Sequence, residues 1–218
     1  MKPRRLAVDA ASPARDAMAD AARVLRAGGV VAYPTDTVYG LAVDVQNEAA
    51  IARLYAVKQR PIEKALPVII GALSQLDQVS LPPPPSADAL MAAFWPGPLT
   101  LLLEPRAGLS ARLRGQSDRI GVRWPLAPIS QQLALALGRA VTATSANLSG
   151  APVALSADEV VVQLGATVDL VLDGGAATDP EVSTILDVTV TPPRLLRPGR
   201  VARASVEAVL GCAVEPPS

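Results

Sequence analysis

The chain has 218 residues, 50% of them hydrophobic, and a formal net charge of +0. That length can bury one substantial core, and the charge balance excludes a generally basic protein that coats nucleic acid through bulk charge, leaving only local patches. Histidine is absent, which removes imidazole acid–base catalysis, His-ligated zinc and any Ser-His-Asp triad. The single Cys212 allows no intrachain disulfide and no cysteine metal cluster, and fits a reducing compartment. No apolar run approaches the roughly 20 residues of a membrane span. Asp9, Arg15, Asp16 and Asp20 interrupt the place where a signal-peptide core would lie. A cytoplasmic protein without membrane attachment is the expectation.

In chain order, Ser12-Pro13 reads as the N-cap and first position of a helix with Met18, Ala21, Ala22 and Leu25 on one face and Gly28 as its stop. Val30 to Tyr33 is a short buried strand that feeds the Pro34 loop. Asn47 caps a helix in which Ile51, Leu54 and Tyr55 repeat at helical spacing and which delivers Lys58 at its end. Leu66 to Ile70 has strand length, and Pro82 to Pro85 is a stiff connection rather than a domain boundary. A helix near Ala87–Phe94, the turn Trp95-Pro-Gly-Pro98 and a strand at Leu99–Leu103 follow. Further strands are predicted at Ile120–Arg123, Ala140–Thr144, Leu170–Leu172, Thr184–Val188 and Arg194–Leu196. Helices are predicted near Ile129–Leu137 and Ala157–Leu164, with a short one after Ser205. Interleaved strands and helices give a mixed α/β (α+β type) domain, a sheet covered by helices. The whole of 1–218 reads as a single domain with its core at about 17–210. Spacing is too irregular for a doubly wound nucleotide fold, neither GxGxxG nor GxxxxGK[ST] occurs, and there is no internal repeat.

Chemistry is concentrated in a few loops. Tyr33-Pro-Thr-Asp-Thr-Val-Tyr-Gly40 presents hydroxyls and a carboxylate between a Pro and a Gly; a plain Asp/Thr turn explains it equally well taken alone. Lysine occurs only at Lys2, Lys58 and Lys64, so two of the three fall in Lys58-Gln-Arg-Pro-Ile-Glu-Lys64. With Pro61 breaking the helix, Lys58, Arg60 and Lys64 would fan around a loop able to hold a polyphosphate. The competing reading is a solvated basic helix end. Thr142-Ala-Thr-Ser-Ala-Asn-Leu-Ser-Gly150 follows a strand and suits close approach of backbone and hydroxyl donors to an anion, or is simply a Ser/Asn turn. Arg123 and Arg197 differ from the other arginines because each ends a strand beside Pro, where a planar fork could be aimed inward. Ser183-Thr184 opens a strand, the commoner role for such a pair.

Together these segments resemble the threonylcarbamoyl-AMP synthase (YrdC-like) family from about Ala17 to Gly199. The YPTDTxYGL loop, a KxRPxxKxL segment matching the family's KxRPxxKPL except at Ala65, the WPGPxT turn, VRxP strand, SANxSG turn, STxxD strand and final RPG occur in that order. The resemblance implies a twisted mixed sheet with helices around a basic concave cavity. It also implies synthesis of threonylcarbamoyl-AMP and pyrophosphate from L-threonine, bicarbonate and ATP, for t6A modification of tRNA. It puts the catalytic tetrad on Lys58, Arg60, Ser145 and Asn147. ATP contacts fall on Lys58, Arg60, Lys64, Asn147 and Arg197, and threonine contacts on Thr37, Arg123, Ser145 and Ser183. Mg²⁺ would come with the ATP phosphates rather than from a protein site, with no organic cofactor. Contact with tRNA would be weak or indirect, and downstream t6A transferase proteins would take the product. The alternative is an RNA-binding or YciO-like paralogue that lacks the synthase reaction. Where the family has KPLxxH this chain has Ala65 and Ile69, so a polar ring expected in the threonine pocket is replaced by a branched apolar chain. The ending after Arg197-Pro-Gly199 fits the short, single-domain members.

Overall fold

A computed structural model describes residues 2–177 and 182–217. The strands are β1 (Arg4–Ala7), β2 (Val31–Pro34), β3 (Tyr39–Ala42), β4 (Val68–Ile69), β5 (Leu99–Leu103), β6 (Ile120–Arg123), β7 (Val141–Thr142), β8 (Thr144–Ser145), β9 (Leu170–Asp173), β10 (Thr184–Asp187) and β11 (Arg194–Arg197). The helices are α1 (Arg15–Arg26), α2 (Glu48–Lys58), α3 (Pro85–Phe94), α4 (Pro128–Leu137), α5 (Ala157–Leu164) and α6 (Arg203–Leu210). The strands form a five-stranded sheet, β1-β9-β2-β3-β8, and a six-stranded sheet, β11-β10-β5-β6-β4-β7. Both mix parallel and antiparallel pairs: β2 is parallel to β9 and antiparallel to β3, and β6 is parallel to β4 and antiparallel to β5. The mixed α/β reading therefore holds, with the strands divided between two sheets.

Most elements lie where hydrophobic spacing puts them, and the departures have local causes. Helix α1 begins at Arg15 rather than Pro13, with Ala14 in extended conformation and no side-chain cap. The Asp9 carboxylate accepts the Ala11 and Ser12 amides at 2.8 and 3.0 Å, which closes a turn and removes Ser12 from the capping position. The buried face of α1 is Met18, Ala21, Ala22 and Leu25, as its spacing requires. Strand β3, unanticipated, is buried on both faces and so lacks the alternation that marks a half-exposed strand. β1 carries two arginines and lies at a sheet edge.

The predicted strand over 140–144 is two strands. Val141 and Thr142 pair with β4, whereas Thr144 and Ser145 pair with β3 in the other sheet. The chain crosses between sheets at Ala143, whose amide donates to the Pro67 carbonyl at 2.7 Å. This crossing brings the 145–147 turn beside the loops that precede β3 and β4.

Two apolar clusters fill the interior. The larger joins α2, α3 and the second sheet through residues such as Ile51, Leu54, Leu90 and Leu101. The smaller packs α1 and α4 on the first sheet through Met18, Leu25, Tyr33, Ile129 and Leu133. Among the described residues no helix is long and apolar enough to cross a membrane. Leu54, fully buried in α2, anchors the helix that delivers Lys58. Leu54→Ala is expected to cost about 2–5 kcal/mol of stability through lost burial and the cavity left behind. Urea denaturation should show this as a lower midpoint with little change in slope.

Candidate functional site

Strand β2 ends at Pro34, and the turn beyond it is fixed by one hydroxyl. Thr35 Oγ1 accepts the Thr37 and Val38 amides at 3.1 and 3.2 Å and lies 2.7 Å from the Val38 carbonyl, to which it donates. The two threonine hydroxyls, Thr35 and Thr37, are 3.0 Å apart. Asp36, at the tip, receives Arg123 Nη2 on both carboxylate oxygens at 2.7 and 2.6 Å. Arg123, the last residue of β6, also donates from Nε to the Gly97 carbonyl at 3.0 Å. The expected inward-aimed fork is present, but half of it is already engaged. Burial lowers the Arg123 pKa, and the charge of Asp36 opposes that shift.

Helix α2 stops at Gln59, which takes a left-handed conformation with φ 49°. Its start is capped by the Asn47 side chain, as its position implies. The three cations beyond do not fan outward from one loop. Lys58 is 2% exposed and donates from Nζ to the Ser145 carbonyl, to the Asn147 carbonyl at 2.8 Å and, more weakly, to Asn147 Oδ1 at 3.4 Å. Arg60 folds back on its own loop, donating to the carbonyls of Lys64 and Ala65 at 3.2 and 2.8 Å. Lys64 is exposed. The solvated helix end thus fails for Lys58. Desolvation, followed by repulsion from Arg60, lowers its pKa to about 8. Desolvation also lowers the Arg60 pKa.

The 145–147 turn answers Lys58 from the other side. Ser145 Oγ donates to Asn147 Oδ1, Asn147 Nδ2 donates to the Ala151 carbonyl at 2.6 Å, and the Ser149 amide returns a bond to the Lys58 carbonyl at 2.9 Å. Ser145 is half-buried and Asn147 buried. Lys58, Ser145 and Asn147 therefore form one contact set, with Arg60 close enough to shift the lysine.

Ser183 is buried beside β5, its hydroxyl 3.0 Å from that of Thr100. Arg197 closes on it, Nε and Nη2 reaching the Ser183 carbonyl at 3.1 and 2.7 Å and Nη2 reaching Oγ at 2.9 Å. Although Arg197 as a residue is exposed, desolvation of its guanidinium, then repulsion from Arg123, lowers its pKa. Gly199 is what permits the approach: a Cβ there would lie 2.4 Å from the Val182 carbonyl oxygen and 2.6 Å from Thr184 N.

The arrangement is a set of cationic and hydroxyl groups with donors to spare, suited to binding anions and placing them against one another. The sequence marks the Asp36 carboxylate on its loop but gives it no partner, and Thr100, which reads as an ordinary strand residue, carries no signal at all. Ile69 is 1% exposed and packs in the smaller core cluster, opposite Arg123 in the β4–β6 register. It is a core residue one strand away from Arg123. Among the described residues no group of three or more His, Cys, Asp or Glu side chains could hold a metal. Two surface grooves lie elsewhere, one along Gln78 and Arg106 and one along Pro84 and Thr191.

A family model named Sua5_yciO_yrdC, described as telomere recombination, matches residues 23–199. A threonylcarbamoyl-AMP synthase of Bacillus subtilis is 39% identical over 196 residues, which is 89% of this chain and 56% of the relative. The crystal structure of P. abyssi Sua5 complexed with L-threonine superposes with a TM-score of 0.91 at 33% identity, covering 97% of this chain and 62% of that one. E. coli YciO superposes at 0.84 with 28% identity, covering 94% and 99%. The chain thus spans little more than half the length of the Bacillus relative and under two thirds of the P. abyssi protein. On the family match and the continuous similarity around it, this chain belongs to the Sua5/YciO/YrdC family.

Proposed function

We propose that this chain is an L-threonylcarbamoyladenylate synthase, a nucleotidyltransferase that makes threonylcarbamoyl-AMP and pyrophosphate from L-threonine, bicarbonate and ATP for t6A modification of tRNA. The observation that carries the reading is the contact set of Lys58, Ser145 and Asn147, with Arg60 beside it, at the crossing between the two sheets. The names of its relatives support the same chemistry: threonylcarbamoyl-AMP synthase for the Bacillus protein and an L-threonine complex for the P. abyssi one. A YciO-like or RNA-binding role without synthesis is the weaker reading, because RNA binding alone gives no reason to bury a lysine on this turn.

In the proposed reaction the threonine amine takes up the carbon of bicarbonate with loss of water. A carbamate oxygen then attacks the α-phosphorus of ATP, and the bond to the pyrophosphate oxygen breaks. The demands are positioning and neutralisation of developing charge, which need no histidine. Arg60, Lys64, Asn147 and Arg197 are assigned to ATP. All three Lys58 protons are directed at oxygens of the 145–147 turn, so this lysine reaches phosphate only by exchanging its 3.4 Å bond to Asn147. Thr37, Ser145 and Ser183 are assigned to the threonine hydroxyl and carbamate, and Arg123 to the carboxylate. Mg²⁺ belongs to the substrate as MgATP, since its donors would be phosphate oxygens. Contact with tRNA is assigned a weak or indirect role, and transfer to tRNA is left to downstream t6A proteins in the cytoplasm.

The purified protein should release pyrophosphate from MgATP only when L-threonine and bicarbonate are both present. Release that is independent of either would contradict the assignment. Lys58→Ala and Arg60→Ala should each lower turnover by about 10²-fold, the scale for removing one preorganised charged group, with folding checked by circular dichroism. A solvated helix end predicts no more than a few-fold loss.

The depressed Lys58 pKa gives a signed pH dependence. Below about 8 the lysine is charged and assists anion binding, so ATP affinity should fall as pH rises through that value. Bound phosphate favours the charged form and should move the midpoint upward. For the folded protein without ligand, the cost of burying the charge is fully present below pH 8. It is relieved between there and the unfolded value of 10.5. ATP titration by calorimetry from pH 7 to 9.5 checks this, and Lys58→Ala should flatten the profile.

Valine has the shape of threonine without the hydroxyl, and a site that hydrogen-bonds a hydroxyl rejects such an analogue strongly. Valine should therefore support pyrophosphate release far less well than threonine, despite the apolar Ile69. Equal rates would show that Thr37, Ser145 and Ser183 do not read the hydroxyl.

A further inference from the structure

The Asp36 carboxylate is the acidic member of the cluster to which the reaction above gives no part. Its side chain is 15% exposed, and that of its partner Arg123 is 8% exposed. An ion pair this sheltered is rarely neutral in its effect: losing one partner leaves the other charge buried and uncompensated. Its geometry is uneven. Both carboxylate oxygens close on the same nitrogen, Nη2, while Nε is committed to Gly97. Nη1 makes no hydrogen bond among the described residues. The Gly97 carbonyl is itself fixed, because its amide donates to the Trp124 carbonyl at 2.7 Å. Asp36 is fixed in turn by the Thr35 bonds across its turn.

We propose that Asp36 is a positioning residue for the amino-acid subsite, holding Arg123 by Nη2 so that Nη1 is presented to the α-carboxylate of the substrate. The inference rests on the function proposed above. An arginine side chain has several rotatable bonds, and freezing them before the ligand arrives reduces the ordering cost of binding. Three contacts on two of its three nitrogens do so here. The same pair ties the β2–β3 turn, in the first sheet, to the end of β6, in the second. The amino-acid carboxylate would therefore be received by a group anchored to both sheets. Asp36 also lowers the net positive charge at that point, so the subsite selects by orientation more than by raw attraction.

Asp36→Asn keeps the shape and removes the charge; Asp36→Ala removes the hold. Both should raise the KM for L-threonine, by about 10-fold or more for the alanine variant, while the KM for ATP and kcat at saturating threonine stay within a few-fold. That split identifies an interaction made equally in ground and transition states. Asp36→Glu should recover part of the threonine KM. A readout free of substrate is the ¹⁵N spectrum of the arginine side chains. Rotation about the bond to Nη2 of Arg123 should be slow in the parent and fast in both variants. A parallel rise in the KM for ATP, or an unchanged arginine spectrum in Asp36→Ala, would overturn the role given to Asp36. If the parent itself shows no L-threonine binding by calorimetry, the subsite and the proposed reaction fall together, an outcome distinct from failure of the variants alone.

Discussion

The ammonium of Lys58 is taken almost wholly out of water and set against two carbonyls and an amide oxygen of the 145–147 turn. Withdrawing such a charge costs several kcal/mol unless each proton finds an acceptor. Here each does, and the turn depends on the lysine as much as the lysine on the turn. Three carbonyl-type oxygens converging on one point would repel one another without a cation between them. The bond from the Ser149 amide back to the Lys58 carbonyl closes the arrangement into a loop of mutual support. Helix α2 must then be held at a fixed depth, which Asn47 at its start and Ile51 and Leu54 on its buried face accomplish. The position of the Lys58 ammonium is thus inherited from a helix cap and an apolar stripe.

A second consequence concerns the seam between the sheets. Neither sheet alone carries the candidate site. The first supplies the 35–37 turn and Ser145, and the second supplies Arg123, Ser183 and Arg197. Ala143 joins them covalently, and the Asp36–Arg123 pair joins them electrostatically. A binding site spanning such a seam can draw on groups from both sheets for each of two unlike substrates. This suits a reaction that must place an amino-acid derivative against a nucleotide.

Much of this was legible in the sequence, and the exceptions are instructive. Strands β5 and β6 and helix α5 follow directly from apolar runs bounded by Pro, Gly and polar residues, because burial on a regular period is a local signal. The break at Ala143 was not legible, since an apolar run reads alike whether its halves pair with one sheet or two. Residues of the candidate site are singled out in the sequence through their chemical type: a scarce lysine, an arginine ending a strand, a Ser/Asn turn before Gly. Their partners were harder to find. That Lys58 turns inward, that Arg60 folds onto its own loop and that Arg123 meets Asp36 all depend on tertiary contacts across 87 to 89 positions or on loop closure. Ile69 illustrates the same limit. Its motif position suggests a pocket wall, whereas its packing makes it a core residue.

The glycines at 115 and 199 separate two kinds of force in this site. A methyl group at 115 would lie 2.3 Å from the Glu63 carbonyl oxygen and 2.6 Å from Ala65 N, and one at 199 would press on the backbone of 182–184. The loops bearing Arg60 and Ser183 are therefore seated in part by close contact between main chains, beside the charge-assisted bonds that Arg60 and Arg197 make to their carbonyls. Dissolved salt shortens the range of the attraction between arginine or lysine and an incoming anion, to about 8 Å at physiological strength, but it cannot act on excluded volume. Raising ionic strength should loosen the hold on ligands well before it disturbs the shape of the place that receives them, because close main-chain contact is indifferent to salt and the sheltered Asp36–Arg123 pair is screened far less than an exposed one.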